Sequence, residues 1–252
     1  MQAPGKSGAP NVAMQAAGFK ALKVETADFE VWLARLDVGK TRLHHLAGLL
    51  APDEIQRAAR LRSADDRRRF TVARGMLRQL LGIYLEKAPA AIEFSYGSRG
   101  KPRIKRTTPV HFNMAHSGER AAYVISKDRP VGIDIECLHR DIEFERIARR
   151  FFALAEFDAL QKVPSTRRRR AFFALWTGKE AVIKATGRGL SQSLARFEIA
   201  VDGHPRIMRA KSKRIAQTIL HAPEPGAGYM VTVAAMPAGN SKRLSRRPKI
   251  VR

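Results

Sequence analysis

The segment Val131-Gly132-Ile133-Asp134-Ile135-Glu136 alternates apolar and polar residues, and a period of two is the signature of a β-strand. In that conformation Ile133 and Ile135 face one side and Asp134 and Glu136 the other. The two carboxylates then lie about 7 Å apart. They repel each other unless a cation sits near both. Hard oxygen ligands suit magnesium, which binds through a few carboxylates plus substrate phosphates. The same pattern also fits a solvated polar strand face. Whatever covers the Asp134 face decides between them.

The rest of the chain mixes helices and strands without the regular alternation of a doubly wound sheet, so the fold class is α+β. Pro52-Asp53-Glu54 has the proline and acidic residues of a helix start. Phe70, Ala73, Leu77, Leu80 and Leu81 recur at three- and four-residue steps, which predicts a helix over 65–84 with Arg67, Arg74 and Arg78 off its apolar stripe. A helix is expected over 142–160. Another runs from about Arg167 to Thr186, stopped by Gly187. Strands are expected at 92–96, 110–113, 121–126, 131–136, 197–201, 215–220 and 229–234. Both halves contain a long helix followed by strands, which suggests two similar α/β lobes. Residues 1–18, small and polar, read as a flexible leader, and 237–252 as a basic tail. The lobes divide as 19–128 and 129–236.

Lysine and arginine number 47 against 23 acidic residues, a formal net charge of +24. Such a surface attracts polyanions: nucleic acid, a phosphate-rich cofactor or an acidic protein. Aromatic residues are only 7%, thin for a base-stacking surface. A nucleic-acid-binding protein remains the competing reading. It explains the charge and the tail but not acidic side chains set into a strand and a buried helix. Cys137 is the one cysteine, which excludes a disulfide framework and fits a reducing compartment. No apolar run reaches the length of a membrane span, and the leader lacks secretory features. The expected location is the cytoplasm.

Three further constellations carry chemistry. On the helix Trp176 to Lys184, Trp176, Glu180 and Lys184 share one side. An exposed Glu180–Lys184 pair would contribute only about 0.3–0.5 kcal/mol, but Phe172, Phe173, Leu175 and Ile183 mark the helix as largely buried. Glu180 is thus a candidate metal ligand or base, and Lys184 a candidate phosphate contact. Asn113-Met114-Ala115-His116-Ser117 reads as a polar turn after a strand, able to offer an imidazole, a hydroxyl and backbone N–H groups to an anion. Gly100-Lys101-Pro102 and the arginine-bearing helix supply the usual grips for phosphate. No serine-nucleophile motif and no G-x-x-x-x-G-K-S/T loop appears.

In order, these segments resemble the Sfp-type 4′-phosphopantetheinyl transferase family, whose pattern joins G-I-D-I-E on a strand to a W-S/T-x-K-E-A/S-x-x-K helix about forty residues on. Gly132–Glu136 and Trp176–Lys184 match it. Arg74-Gly75-Met76-Leu77-Arg78, Gly100-Lys101-Pro102, Phe112-Asn113-Met114-Ala115-His116-Ser117, Arg150-Phe151-Phe152 and Gly187-Arg188-Gly189-Leu190 are further echoes. Ala115 departs from the usual serine. The resemblance spans residues 45–236. It implies two lobes related by pseudo-two-fold symmetry and transfer of the phosphopantetheine arm of coenzyme A to a serine of an acidic acyl or peptidyl carrier protein. It further implies Mg2+ as cofactor, held by Asp134, Glu136 and Glu180, with Asp134, Glu180 and Lys184 catalytic. Coenzyme A would be bound by Lys184, His116, Ser117, Lys101 and Pro102, and its 3′-phosphate by Arg74 or Arg69. The first lobe would take the nucleotide end, and the second the metal and catalytic residues. No membrane or nucleic-acid partner is expected, and two lobes in one chain make a monomer self-sufficient.

Overall fold

A computed structural model describes residues 8–24, 26, 28–97, 101–187 and 193–238. Helix α1 (Gly8–Ala16) is followed by strands β1 (Phe19–Leu22) and β2 (Phe29–Arg35) and by helices α2 (Lys40–Ala47), α3 (Pro52–Ala59) and α4 (Ala64–Leu85). Strands β3 (Phe94–Tyr96), β4 (Pro102–Ile104), β5 (His111–Ser117), β6 (Arg120–Ser126) and β7 (Val131–Cys137) come next. Helices α5 (Phe144–Phe151), α6 (Leu154–Lys162) and α7 (Ser165–Thr186) precede β8 (Phe197–Ile199), β9 (Ile207–Ala210), α8 (Lys213–Ala216), β10 (Ile219–His221) and β11 (Tyr229–Ala235). Among the described residues no helix is long and apolar enough to cross a membrane.

One sheet runs β1-β2-β6-β5 and another β10-β11-β7, each antiparallel between neighbours. The first carries α4 over a core that includes Trp32, Leu77, Leu80 and Tyr123. The second carries α7 over a core that includes Phe172, Phe173, Val182 and Phe197. A third apolar cluster, with Val31, Leu33 and Val124 from one sheet and Ile133, Ile135 and Val233 from the other, joins them.

The repeat suspected from the sequence is visible in the polar core. Arg78 and Lys179 occupy the same step along two 22-residue helices, α4 and α7. Each bonds a glutamate at the start of the preceding short helix: Arg78 Nε lies 2.6 Å from Glu54 Oε2, and Lys179 Nζ 2.7 Å from Glu156 Oε2. Each glutamate also accepts the N–H three residues before it, from Ala51 and Ala153, satisfying a helix-start donor. Each cation then donates to two carbonyls in the chain beyond its helix, Pro89 and Ile92 for Arg78, Leu194 and Phe197 for Lys179. Two lobes thus share one internal wiring. Replacing Lys179 by methionine would strand a buried carboxylate, and unpaired buried charges of this kind cost about 3–5 kcal/mol. Urea denaturation should register a loss of that size.

Several sequence expectations change. Residues 8–16, read as part of a leader, form α1, and Met14 is fully buried in the first core; residues 1–7 and the tail from 239 lie outside the described residues. The segment 142–160 is two helices, because Glu156 starts a new one at Ala153. Residues 213–216 are a helical turn before a short strand at 219–221. The region 113–117, read as a turn, is extended as part of β5 through Ser117, and the chain reverses at Gly118 with φ +54.

Candidate active site

Helix α7 lies directly on β7, and Gly132 permits it. A Cβ at Gly132 would fall 2.1 Å from the Ala181 carbonyl oxygen and 2.4 Å from the Ala185 nitrogen. With the helix this close, the Asp134 face of β7 meets the Glu180–Lys184 side of α7. Lys184 Nζ donates to Asp134 Oδ1 at 2.6 Å. The other oxygen of Asp134, Oδ2, is buried without a hydrogen-bond partner among the described residues. The sheet thus supplies Asp134 and Glu136, and the helix Glu180 and Lys184.

The electrostatics follow from burial. Desolvation pushes the Asp134 carboxyl up to about 7; the Lys184 ammonium opposes the shift, while Glu136 and Glu180 add to it. Glu180 is raised as well, first by burial, opposed by Lys184 and reinforced by Glu136. Three carboxylates that feel one another in a low-dielectric seam hold excess negative charge. Among the described residues no three His, Cys, Asp or Glu side chains are drawn together in coordinating geometry; the Lys184 ammonium occupies one Asp134 oxygen instead. The buried unpartnered Oδ2 and the mutual repulsion nevertheless fit a hard dication well.

The edge strands β5 and β7 meet beside this cluster. Asn113 Oδ1 accepts from the Ile133 N–H at 2.9 Å, and Ser117 Oγ from the Cys137 N–H at 3.0 Å. Ser117 also donates to Glu136 Oε2 at 2.7 Å, an oxygen shared with Arg140 at 2.9 Å. His116, on the alternate face of β5, remains open to solvent. Partial desolvation of the ring against its neighbours lowers its pKa most, although one side stays exposed, and Lys184 and Arg69 lower it further, so cations gather on this side of the carboxylates.

Lys101 reaches across to the end of α7, where its ammonium donates to the Lys184 carbonyl. Cations favour helix C-termini because unpaired carbonyls gather there. Burial, followed by Arg103 and Lys184, lowers its pKa to about 8. A cavity of about 420 Å³ opens here, lined by Lys101, Pro102, Arg103, Arg106, His111 and Arg214 among others. Gly100 and the segment 188–192 lie outside the described residues.

The two arginine candidates separate. Arg74 is 5% exposed, lies 3.5 Å from Glu54, and sits over the rings of Phe70 and Phe94. Burial lowers its pKa. Its ion pair attaches it to the buried Glu54–Arg78 network, yet its Nε and Nη1 are buried without a hydrogen-bond partner among the described residues; its burial corrects its placement off the apolar stripe. Arg69 bonds Glu119 at the β5–β6 turn and lies near enough to His116 to shift it. Of the two, Arg69 is the more exposed and the one that acts on His116. The sequence also gave no role to Lys179, which sits next to Glu180 yet is fully buried as the second lobe's internal cation. The signal for Asn113 and Ser117 was available: their four-residue spacing equals that of the Ile133 and Cys137 amides they meet.

Comparison with known proteins identifies the family. A family model described as the 4′-phosphopantetheinyl transferase superfamily matches residues 130–234, and one described as 4′-phosphopantetheinyl transferase, N-terminal, matches residues 38–127. The 4′-phosphopantetheinyl transferase HetI of Nostoc sp. is 38% identical over 177 residues, covering 69% of this chain and 74% of the relative. The 4′-phosphopantetheinyl transferase Sfp of Bacillus subtilis is 30% identical over 188 residues, covering 74% and 82%. The two matched regions fall on the two lobes, and the second contains Asp134, Glu136, Glu180 and Lys184. The chain belongs to the 4′-phosphopantetheinyl transferase superfamily.

Proposed function

We propose that the chain transfers the 4′-phosphopantetheine group of coenzyme A to a serine of an apo acyl or peptidyl carrier protein in the cytoplasm, as a monomer. The observation that carries this reading is the α7–β7 seam, where Lys184 meets Asp134 beside Glu136 and Glu180. The carrier serine Oγ forms a bond to the phosphorus attached to pantetheine. The bond from that phosphorus to the bridging oxygen breaks, and adenosine 3′,5′-bisphosphate leaves with the electron pair.

Asp134, Glu136 and Glu180 would hold a magnesium ion. Such an ion, when bound, supplies neutralisation of the charge that grows on a departing phosphate. Lys184 contributes a positive charge to the phosphate under attack, a type of electrostatic stabilisation that is often the largest catalytic term. Glu180 is the candidate acceptor of the serine proton, directly or through a water. His116 and Arg69 face the pyrophosphate and 3′-phosphate side, and Lys101 and Pro102 the nucleotide end. The positive chain, +24 overall, steers an acidic carrier toward the site.

Apo carrier protein incubated with coenzyme A and Mg2+ should gain the mass of one phosphopantetheine arm, and a chelator should prevent it. An unchanged carrier mass across acyl and peptidyl carriers would reject the reading. A second expectation concerns Lys101. Its pKa is depressed from the lysine range to about 8, so in the free protein its charge is present below pH 8 and lost as pH rises through that value. The KM for coenzyme A should therefore rise between pH 7 and 9 in the wild type. In Lys101→Ala it should already be high at pH 7 and respond less to pH over that interval.

A further inference from the structure

We infer that Ser117 is a positioning residue for the Glu136 carboxylate and does not bind a coenzyme A phosphate. The inference rests on the reading of Asp134, Glu136 and Glu180 as cation ligands.

A hydroxyl has one hydrogen to donate. Ser117 is 6% exposed, and its hydrogen goes to Glu136 Oε2 at 2.7 Å. The Cys137 N–H, 3.0 Å from Oγ, occupies its acceptor side and fixes the direction of the O–H. Phosphate oxygens need donors, and the Ser117 hydroxyl has none left. Its hydrogen bond and that of Arg140 both fall on Oε2, leaving Oε1 outside both. Arg140 is 53% exposed in its side chain, so its grip is screened by solvent. The buried serine is the firmer of the two.

Asn113 and Ser117 divide two tasks between them. Both point from β5 to an edge amide of β7, at Ile133 and Cys137. Edge amides left unpaired in a buried seam carry a desolvation cost, so both residues help to hold the two strands together. Only Ser117 adds a bond to a carboxylate. Side chains that hydrogen-bond a metal-ligating carboxylate set its orientation, and removing them weakens metal binding by about 10–100-fold.

The test is Mn2+ binding, followed by electron paramagnetic resonance in the presence of coenzyme A, with metal-free coenzyme A affinity measured separately by calorimetry. Ser117→Ala should bind Mn2+ about 10–100-fold more weakly with metal-free coenzyme A affinity unchanged. Ser117→Cys fills the space with a poor donor and should show the same loss should the alanine variant fold badly. Ser117→Thr, which keeps the hydroxyl, should recover most of the affinity. Asn113→Ala should lower the melting temperature yet leave Mn2+ affinity near wild type. Weakened coenzyme A binding with intact Mn2+ affinity in Ser117→Ala would overturn the inference by making Ser117 a phosphate ligand. A lower melting temperature with both affinities intact would overturn it by making Ser117 only a strand staple. A wild type that bound no Mn2+ would overturn the cation reading and this inference together; wild-type binding unaffected by Ser117→Ala would overturn this inference alone.

Discussion

Gly132→Ala is expected to abolish transfer and to destabilise the fold more than any other single methyl added to the second lobe. The new Cβ would stand 2.1 Å from the Ala181 carbonyl oxygen and 2.4 Å from the Ala185 nitrogen. These are backbone atoms of α7 and cannot rotate away, so the whole helix must shift. Overpacking in a core costs about 1–3 kcal/mol when side chains can adjust; a clash with backbone belongs at or above the upper end. The shift also carries Glu180 and Lys184 away from Asp134, because Lys184 directly precedes Ala185. Guanidinium unfolding and a transfer assay on the same preparation measure both effects. Gly39→Ala is the control: nothing lies within 4 Å of its would-be Cβ, so activity should stay near wild type and stability should fall by no more than about 1 kcal/mol, the cost of alanine at the α2 N-cap. Wild-type activity in Gly132→Ala would mean that the α7–β7 contact does not set the site.

Glu180→Gln should separate activity from stability. Transfer is expected to fall by at least about 10²-fold, the usual cost of removing one preorganised electrostatic group from an active site. Stability should not fall with it. The folded protein holds the Glu180 proton more tightly than the unfolded chain does, because burial raises its pKa. A group of this kind contributes stability that is fully present at low pH, below the ordinary carboxylate range, and is lost as pH rises through the raised value. At pH 8 the ionised carboxylate therefore weighs against the metal-free fold, and a neutral amide removes that penalty. Metal-free Glu180→Gln should melt at or above the wild-type temperature at pH 8, with the advantage shrinking toward pH 4. A variant that lost activity and stability together would point to a structural carboxylate.

The sequence displayed the long helices and β7 clearly, because each has a clean period and a firm stop. Gly187, at φ +70, ends α7 as its composition predicted. The motif residues on β7 and α7 were legible for the same reason: alternation placed Asp134 and Glu136 on one face, and helical spacing placed Glu180 and Lys184 on one side. Charges that the fold buries were not legible. Arg74, Arg78 and Lys179 look like solvated cations in one dimension, and only three-dimensional contact with Glu54 and Glu156 shows why they are inside. The break at Ala153 was hidden because a glutamate caps it without the usual serine or threonine partner. The strand character of 113–117 was masked by polar residues. They stay extended because Asn113 and Ser117 spend their polarity on β7. Sequence reading therefore named the residues that β7 and α7 bring together, while the internal wiring behind them required the fold.

The central claim is that acidic groups from β7 and α7 act as one ligand set. Calorimetric titration of Mg2+ into the coenzyme A complex tests it most directly, comparing wild type with Asp134→Asn and Glu180→Gln. The account predicts one site in the wild type and strong weakening in both variants, although the altered residues come from separate elements. Mg2+ binding that survives either change at wild-type affinity would contradict it.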